Sequence, residues 1–375
     1  MPKPSVIMVC GAAIAVAVGV SSLFIVWNGP GRTSLAAMWA DRTLGKLEKS
    51  GADLLAHREE TKAAILESLG DGPPVSASGE MSTRKIDDPT ELPVEEVSFI
   101  GADNDSLTAL IGYPTDRPTP RGIVIALHQT TDIGMREPMG LAGKSDLAFG
   151  ALLQGAGYMV VAPEVFTTGE RAGPGARWLT NEFYQRYPAW SAMGKMLADN
   201  ETAVSVAMEA YRKRYGAEPV CIAAVGHSLG AHNALLLAAF DKRIDAVVAN
   251  AGFERIASDT DAIRWSRDDG FIYMPALAAA TRGKAPLTWD WEDVLIQIFP
   301  RSQMIIQGLE DPIFTNEISV AQASRSVEEA YRDEGHADRF ESHLWAGGHA
   351  FPMRFQGALP DWIDHACKVQ RGSAG

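Results

Sequence analysis

From about residue 91 onward the chain alternates between two hydrophobic patterns. Short continuous apolar runs stand at 122–127, 158–163, 220–225, 244–250 and 302–307. Runs of that length, rich in branched residues, predict strands covered on both faces. Between them, 145–155, 194–215, 318–333 and 360–369 carry helical spacing, and 339–345 reads as a further strand. Two alternating segments, 94–100 and 107–113, flank Gly101-Ala102-Asp103-Asn104-Asp105 and predict a hairpin. Strand–helix alternation of this kind predicts an α/β fold: a mostly parallel central sheet with helices on both faces.

Two stretches break the rhythm. Residues 164–192 form a long loop rich in Gly, Arg and aromatics, and loops of that length are usually functional. Residues 252–300 form an insertion holding Trp265, Phe271, Tyr273, Met274, Trp289 and Trp291. The insertion is expected to roof a pocket, with Trp265, Tyr273 and Trp289 lining it; packing onto the sheet is the plainer role for each of them.

Upstream the pattern differs. Residues 34–69 space their leucines and isoleucines among charges, as an amphipathic helix covering or stalking the main domain. Gly70 caps it and Gly72-Pro73-Pro74 stops it, leaving 71–92 as a linker. Residues 5–27 carry no charge, enough for a helix to cross the ~30 Å apolar core of a bilayer. An uncleaved anchor is expected there; a signal cleaved after Ser21 and a buried core helix are the alternatives. Arg32, Arg42 and Lys46 behind the run argue for a cytoplasmic domain, whereas the short N-terminal tail argues for export. Export, with a periplasmic catalytic domain, is the expectation. The chain thus divides into an anchor (1–27), a helical stalk and linker (28–90), and a main domain (91–370).

Charge and cysteine content narrow the partners. A net charge of −13 with no basic stripe excludes a nucleic-acid surface. Cys10, Cys221 and Cys367 make no disulfide framework, no CxxC and no zinc spacing, and apolar packing accounts for Cys10 and Cys221.

The chemistry centres on Gly226-His227-Ser228-Leu229-Gly230, placed between the 220–225 strand and the Ala/Leu-rich run that follows it. Strand, tight turn and helix put a serine hydroxyl at the apex, and the flanking glycines leave room for the turn. A serine nucleophile needs a base, and the base needs an orienting carboxylate. Gly308-Leu309-Glu310-Asp311-Pro312 follows the 302–307 strand and offers Asp311, preferred over Glu310 for its shorter reach on a rigid turn. Of the histidines after the serine, His232, His336, His343 and His365 fall in or beside regular elements. His349 alone stands in a flexible loop after the last strand, behind Gly347-Gly348. The oxyanion donors are assigned to the N–H of Leu229 and that of Gln129, in Leu127-His128-Gln129-Thr130-Thr131. His128 is expected to brace that loop and is also placed among the pocket residues. No metal-ligand cluster or phosphate loop accompanies these groups, so cofactor-free chemistry is expected.

With these residues in place, 90–368 resembles an α/β-hydrolase of the dienelactone-hydrolase and acetyl-xylan-esterase-like group. The likeness rests on Leu127-His128-Gln129-Thr130-Thr131, 190–195, 226–234, 239–244 and Gly347-Gly348-His349. It implies hydrolysis of a small-molecule or carbohydrate ester through an acyl-serine, with Ser228, His349 and Asp311 as triad. Dienelactone hydrolases proper carry a cysteine nucleophile, which argues against that substrate here. Gln129 stands where many relatives have glycine, and the N-terminal apolar run lies outside the likeness. A serine peptidase or amidase on the same fold, and a membrane-tethered binding protein without catalysis, are the competing readings.

Overall fold

The computed structural model describes residues 49–73, 81–86, 92–169, 171–172, 178–259 and 270–372. Nine strands form one sheet: β1 (Ser82–Lys85), β2 (Val94–Ile100), β3 (Ser106–Gly112), β4 (Ile123–Leu127), β5 (Met159–Pro163), β6 (Ile222–His227), β7 (Ala246–Asn250), β8 (Ser302–Gly308) and β9 (Phe340–Trp345). Their order is β1-β2-β3-β5-β4-β6-β7-β8-β9. The first three strands and the β3–β5 contact are antiparallel, and every pairing from β5 through β9 is parallel. The expected hairpin is β2–β3, with Val97 opposite Ala109.

The continuous apolar strands are buried on both faces, as such runs require. In β4, Ile123, Ile125 and Leu127 enter one core layer, while Val124 and Ala126 enter the other. Helix Ala192–Tyr215 starts where Ser191 Oγ accepts the Gly194 N–H and ends on Gly216 in the left-handed region. The long 164–192 segment is not all loop, since Asn181–Arg186 is helical within it.

Of the two readings of the upstream segment, covering the domain or stalking it, the described part fits the first. That part is two helices, Gly51–Ala56 and Arg58–Leu69, separated at His57. Ser50 and Asp53 form a reciprocal cap that starts the first. Leu54, Ile65 and Leu69 are buried in the main core, and the Arg58 guanidinium donates to the Gln297 and Phe299 carbonyls. These helices therefore cover the domain instead of holding it at a distance. The expected linker also contains β1, which pairs along β2. Ser82-Thr83-Arg84-Lys85 is exposed throughout, so no apolar alternation marks it in the sequence.

Two further expectations change. Cys221, just before β6, is disulfide-bonded to Cys367 in helix Leu359–Gly372, with Cα atoms 5.7 Å apart, so packing is not its whole role. Spacing could not reveal the pair because 146 residues separate its members. No helix among the described residues is long and apolar enough to cross a membrane. The apolar run 5–27, for which an anchor is expected, lies outside the described residues.

Candidate active site

The parallel strands end together at one edge of the sheet, and the loops leaving that edge carry the chemistry. Ser228 follows β6 with φ 55° and ψ −121°, a conformation non-glycine residues seldom adopt. The turn closes tightly enough that a Cβ on Gly226 would strike the Gly230 carbonyl, and one on Gly230 would strike the Leu127 carbonyl. Glycine at both positions is thus a steric requirement. Helix Leu229–Phe240 begins at once, its first turn closed by Ala231 and His232 N–H groups donating to the Ser228 carbonyl.

Asp311 leaves the end of β8 and is buried. Its Oδ1 accepts the Ile313 and Phe314 N–H groups at 2.7 and 3.1 Å. Its Oδ2 accepts Gln307 Nε2 at 3.2 Å and lies 2.8 Å from His349 Nδ1. Burial alone would raise this carboxyl's pKa. The His349 hydrogen bond and charge, with the two backbone donors, outweigh burial and hold it below the ordinary value. Because a carboxylate only accepts, His349 Nδ1 carries the proton, leaving Nε2 as the basic nitrogen. The imidazole is partly exposed, at 15% of its side-chain area.

Asn250, at the end of β7, connects the base to the serine. Its carbonyl accepts the Ser228 N–H at 3.0 Å, and its Nδ2 donates to the Ala350 carbonyl at 3.0 Å. The same Nδ2 lies 2.6 Å from His227 Nδ1. The His227 ring packs against His349 with centroids 4.6 Å apart. The residue preceding the nucleophile therefore touches the candidate base. Burial, then the neighbouring His349, pushes the His227 imidazole down to about 3, so it stays neutral.

The loop after β4 is held from two sides. His128 Nδ1 lies 2.7 Å from the Gln129 carbonyl oxygen, which can only accept, so Nδ1 donates. The Gln129 side chain turns to Glu137, donating from Nε2 at 3.1 and 3.0 Å to the two carboxylate oxygens. Neither the Gln129 nor the Leu229 N–H meets a protein acceptor among the described residues.

The expected pocket residues fare differently. His128 is 2% exposed and its ring serves the loop. Trp289 is buried and donates from its indole to Ser68 Oγ beneath helix Arg58–Leu69. Trp291 stacks on His232 and Phe253. Trp291 packs the insertion onto the serine-bearing helix, and Trp289 ties it to helix Arg58–Leu69. Tyr273 is buried edge-on against Phe271, and its carbonyl accepts the Met193 N–H. Trp265 lies outside the described residues.

Three residues that the pattern did not single out reach this edge. Trp178, at φ 65°, donates from its indole to Asp132 and packs edge-on against Phe271, joining the long loop to the insertion. Asn250 and Glu164 are the others; hydropathy does not mark them, because both end apolar strands. As a metal site, Asp103, Asp105 and Asp199 have suitable spacing. Lys195 Nζ, 2.6 Å from Asp103, and Arg171, 2.7 Å from Asp105 and 3.0 Å from Asp199, already fill that cluster. It is an ion-pair network pinning the β2–β3 turn to the long loop.

Comparison with known proteins gives the geometry a family context. The model of the dienelactone hydrolase family matches residues 120–268, a span that includes Ser228 and stops short of Asp311 and His349. No curated protein matches at a significant level. A glucuronoyl esterase from Solibacter usitatus superposes with TM-score 0.62 at 14% identity, over 86% of this chain and 94% of its own. A carbohydrate esterase family 15 glucuronoyl esterase from Caldicellulosiruptor kristjansonii gives 0.59 at 17%, over 88% and 93%. One from Teredinibacter turnerae gives 0.59 at 16%, over 86% and 87%. At such identities the likeness establishes the α/β-hydrolase fold.

Proposed function

We propose that this protein is a serine carboxylic-ester hydrolase working through an acyl-Ser228 intermediate. The observation that carries the reading is the His349–Asp311 pair, 2.8 Å apart on the loops after β9 and β8, on the strand-end edge where Ser228 stands in its strained turn. In this mechanism His349 Nε2 takes the Ser228 proton as Oγ attacks the ester carbonyl. Asp311 fixes the tautomer and stabilises the imidazolium that forms. The Leu229 and Gln129 N–H groups receive the oxyanion, each such donor being worth about 10²–10³ in rate. His349 then protonates the leaving alkoxide, and water repeats the sequence in reverse to free the acid. No step draws on a metal or organic cofactor.

The substrate class follows more loosely. The three neighbouring structures named above are glucuronoyl esterases, and from them we carry over a sugar-acid or other carbohydrate ester as the first class to test. An N-terminal anchor with an exported domain fits the Cys221–Cys367 disulfide, because such bonds persist in oxidising compartments.

The test is turnover of short-chain nitrophenyl esters, a uronic-acid ester and peptide nitroanilides by the wild type and Ser228→Ala. Ester turnover that disappears in the variant is the expected result. Nitroanilide cleavage at comparable rates would move the assignment to an amidase. Absence of all turnover, with no fluorophosphonate labelling, would leave a binding protein.

A further inference from the structure

We infer that Glu164, acting through His128, is a positioning residue for the oxyanion donor at Gln129. The inference rests on the ester-hydrolase reading above and adds to it a residue outside the triad. Glu164 follows β5 directly and is 4% exposed. Its Oε1 lies 3.2 Å from His128 Nε2 and accepts the Thr168 hydroxyl at 2.5 Å, while Oε2 accepts the Met135 N–H at 3.3 Å. The Val165 N–H also comes within 3.2 Å of His128 Nε2, but an Nε2 that donates its proton to Glu164 cannot accept from it as well. The other nitrogen of that ring donates to the Gln129 carbonyl at 2.7 Å.

A carbonyl and the N–H of its own residue belong to adjacent peptide planes that share one Cα. Fixing the Gln129 carbonyl therefore restricts the rotation that would swing its N–H away from the serine. His128 can do this only if its ring is held in turn, and Glu164 is the anion against its far side. The chain makes room for that carboxylate with two glycines at positive φ, Gly134 at 53° and Gly169 at 52°. A Cβ at either one would overlap the Glu164 carboxylate. One lies in the oxyanion loop and the other in the long loop after β5, so a single buried anion joins the two. Burial works against charge on both partners, yet each one's charge favours the other's charged form: the His128 pKa is raised and the Glu164 pKa lowered. Glu137, which holds the Gln129 side chain, is the other carboxylate facing this loop.

A residue that positions an oxyanion donor acts on the transition state and leaves ester binding alone. The experiment compares full-length wild type, Glu164→Gln, Thr168→Val and Ser228→Ala in two readouts. One is kcat and KM on nitrophenyl acetate; the other is amide hydrogen exchange in the peptide spanning 128–136. Glu164→Gln keeps size and acceptor oxygen but loses the anion. It is expected to lower kcat by about 10–100-fold, within the range of a weakened oxyanion donor, with KM unchanged within about twofold. Exchange in 128–136 is expected to quicken. Thr168→Val leaves the charge and removes one tether, so a smaller loss of the same kind is expected, and it stands in if Glu164→Gln does not fold. Ser228→Ala is expected to lose turnover with exchange unchanged. A Glu164→Gln enzyme with wild-type kcat, or with 128–136 exchange unaltered, would overturn the inference. A wild type that neither turns over esters nor takes a fluorophosphonate would instead remove the esterase reading, while the exchange comparison still tests the tether.

Discussion

Ser228 stands where the backbone concentrates strain. A non-glycine residue at φ 55° costs about 1–3 kcal/mol, and the strand and helix around it must hold that conformation. Ser228→Ala removes the nucleophile but not the turn, so turnover should fall by about 10⁴-fold or more while the fold survives; steady-state rates and circular dichroism check this. Asp311→Asn keeps shape but offers His349 the wrong partner, and a loss of about 10³–10⁴ in kcat is expected. Acid stability follows from the same residues. The Asp311 pKa is held below the ordinary 3.8, so its contribution is present above about pH 4 and is lost as pH falls through the native value. His227 is neutral down to about 3 when folded but protonates near 6.5 when unfolded, so its contribution is present above 6.5 and drains between 6.5 and 3. Melting temperature should decline across that window, and less steeply in His227→Asn.

The candidate residues Ser228, Asp311 and His349 could be picked out because each stands on a loop just after a strand legible in the sequence, β6, β8 and β9. The residues that brace them could not. Nothing in the order of residues shows that Asn250 reaches Ala350, or that Glu164 lies against His128, because both contacts cross between loops of different strands. The tryptophans stayed open to two readings, lining a pocket or packing, for a related reason. An aromatic cluster in an insertion looks the same in sequence whether it faces a cleft or, like Trp289 and Trp291, the helix beneath.

At the scale of elements, β4 to β8 could be read from continuous apolar runs and β2 and β3 from alternation, while the upstream margin of the sheet could not. The β1 strand lacks alternation, and the two helices at 51–69 could cover the domain or stalk it until their partners are seen. Ile65 is fully buried on the second of these. Ile65→Ala should cost about 2–5 kcal/mol in denaturant unfolding, as core truncations do; an exposed stalk helix would lose little. The Cys221–Cys367 bond closes a long loop between β6 and the C-terminal helix. Cys367→Ser should cost about 2–5 kcal/mol, read by the same unfolding curves without reductant.

For the whole molecule, the net charge of −13 and the mostly parallel sheet frame the strand-end edge where the candidate residues gather. Family match and fold neighbours bear on the strand-and-helix body, and the three candidate side chains, Ser228, Asp311 and His349, are where the chemistry is to be tested. The most direct measurement is to treat the full-length protein with a fluorophosphonate and locate the adduct by peptide mass spectrometry. The adduct should lie on Ser228 alone and form far more slowly in His349→Ala. An unmodified Ser228, or labelling indifferent to His349, would contradict the account.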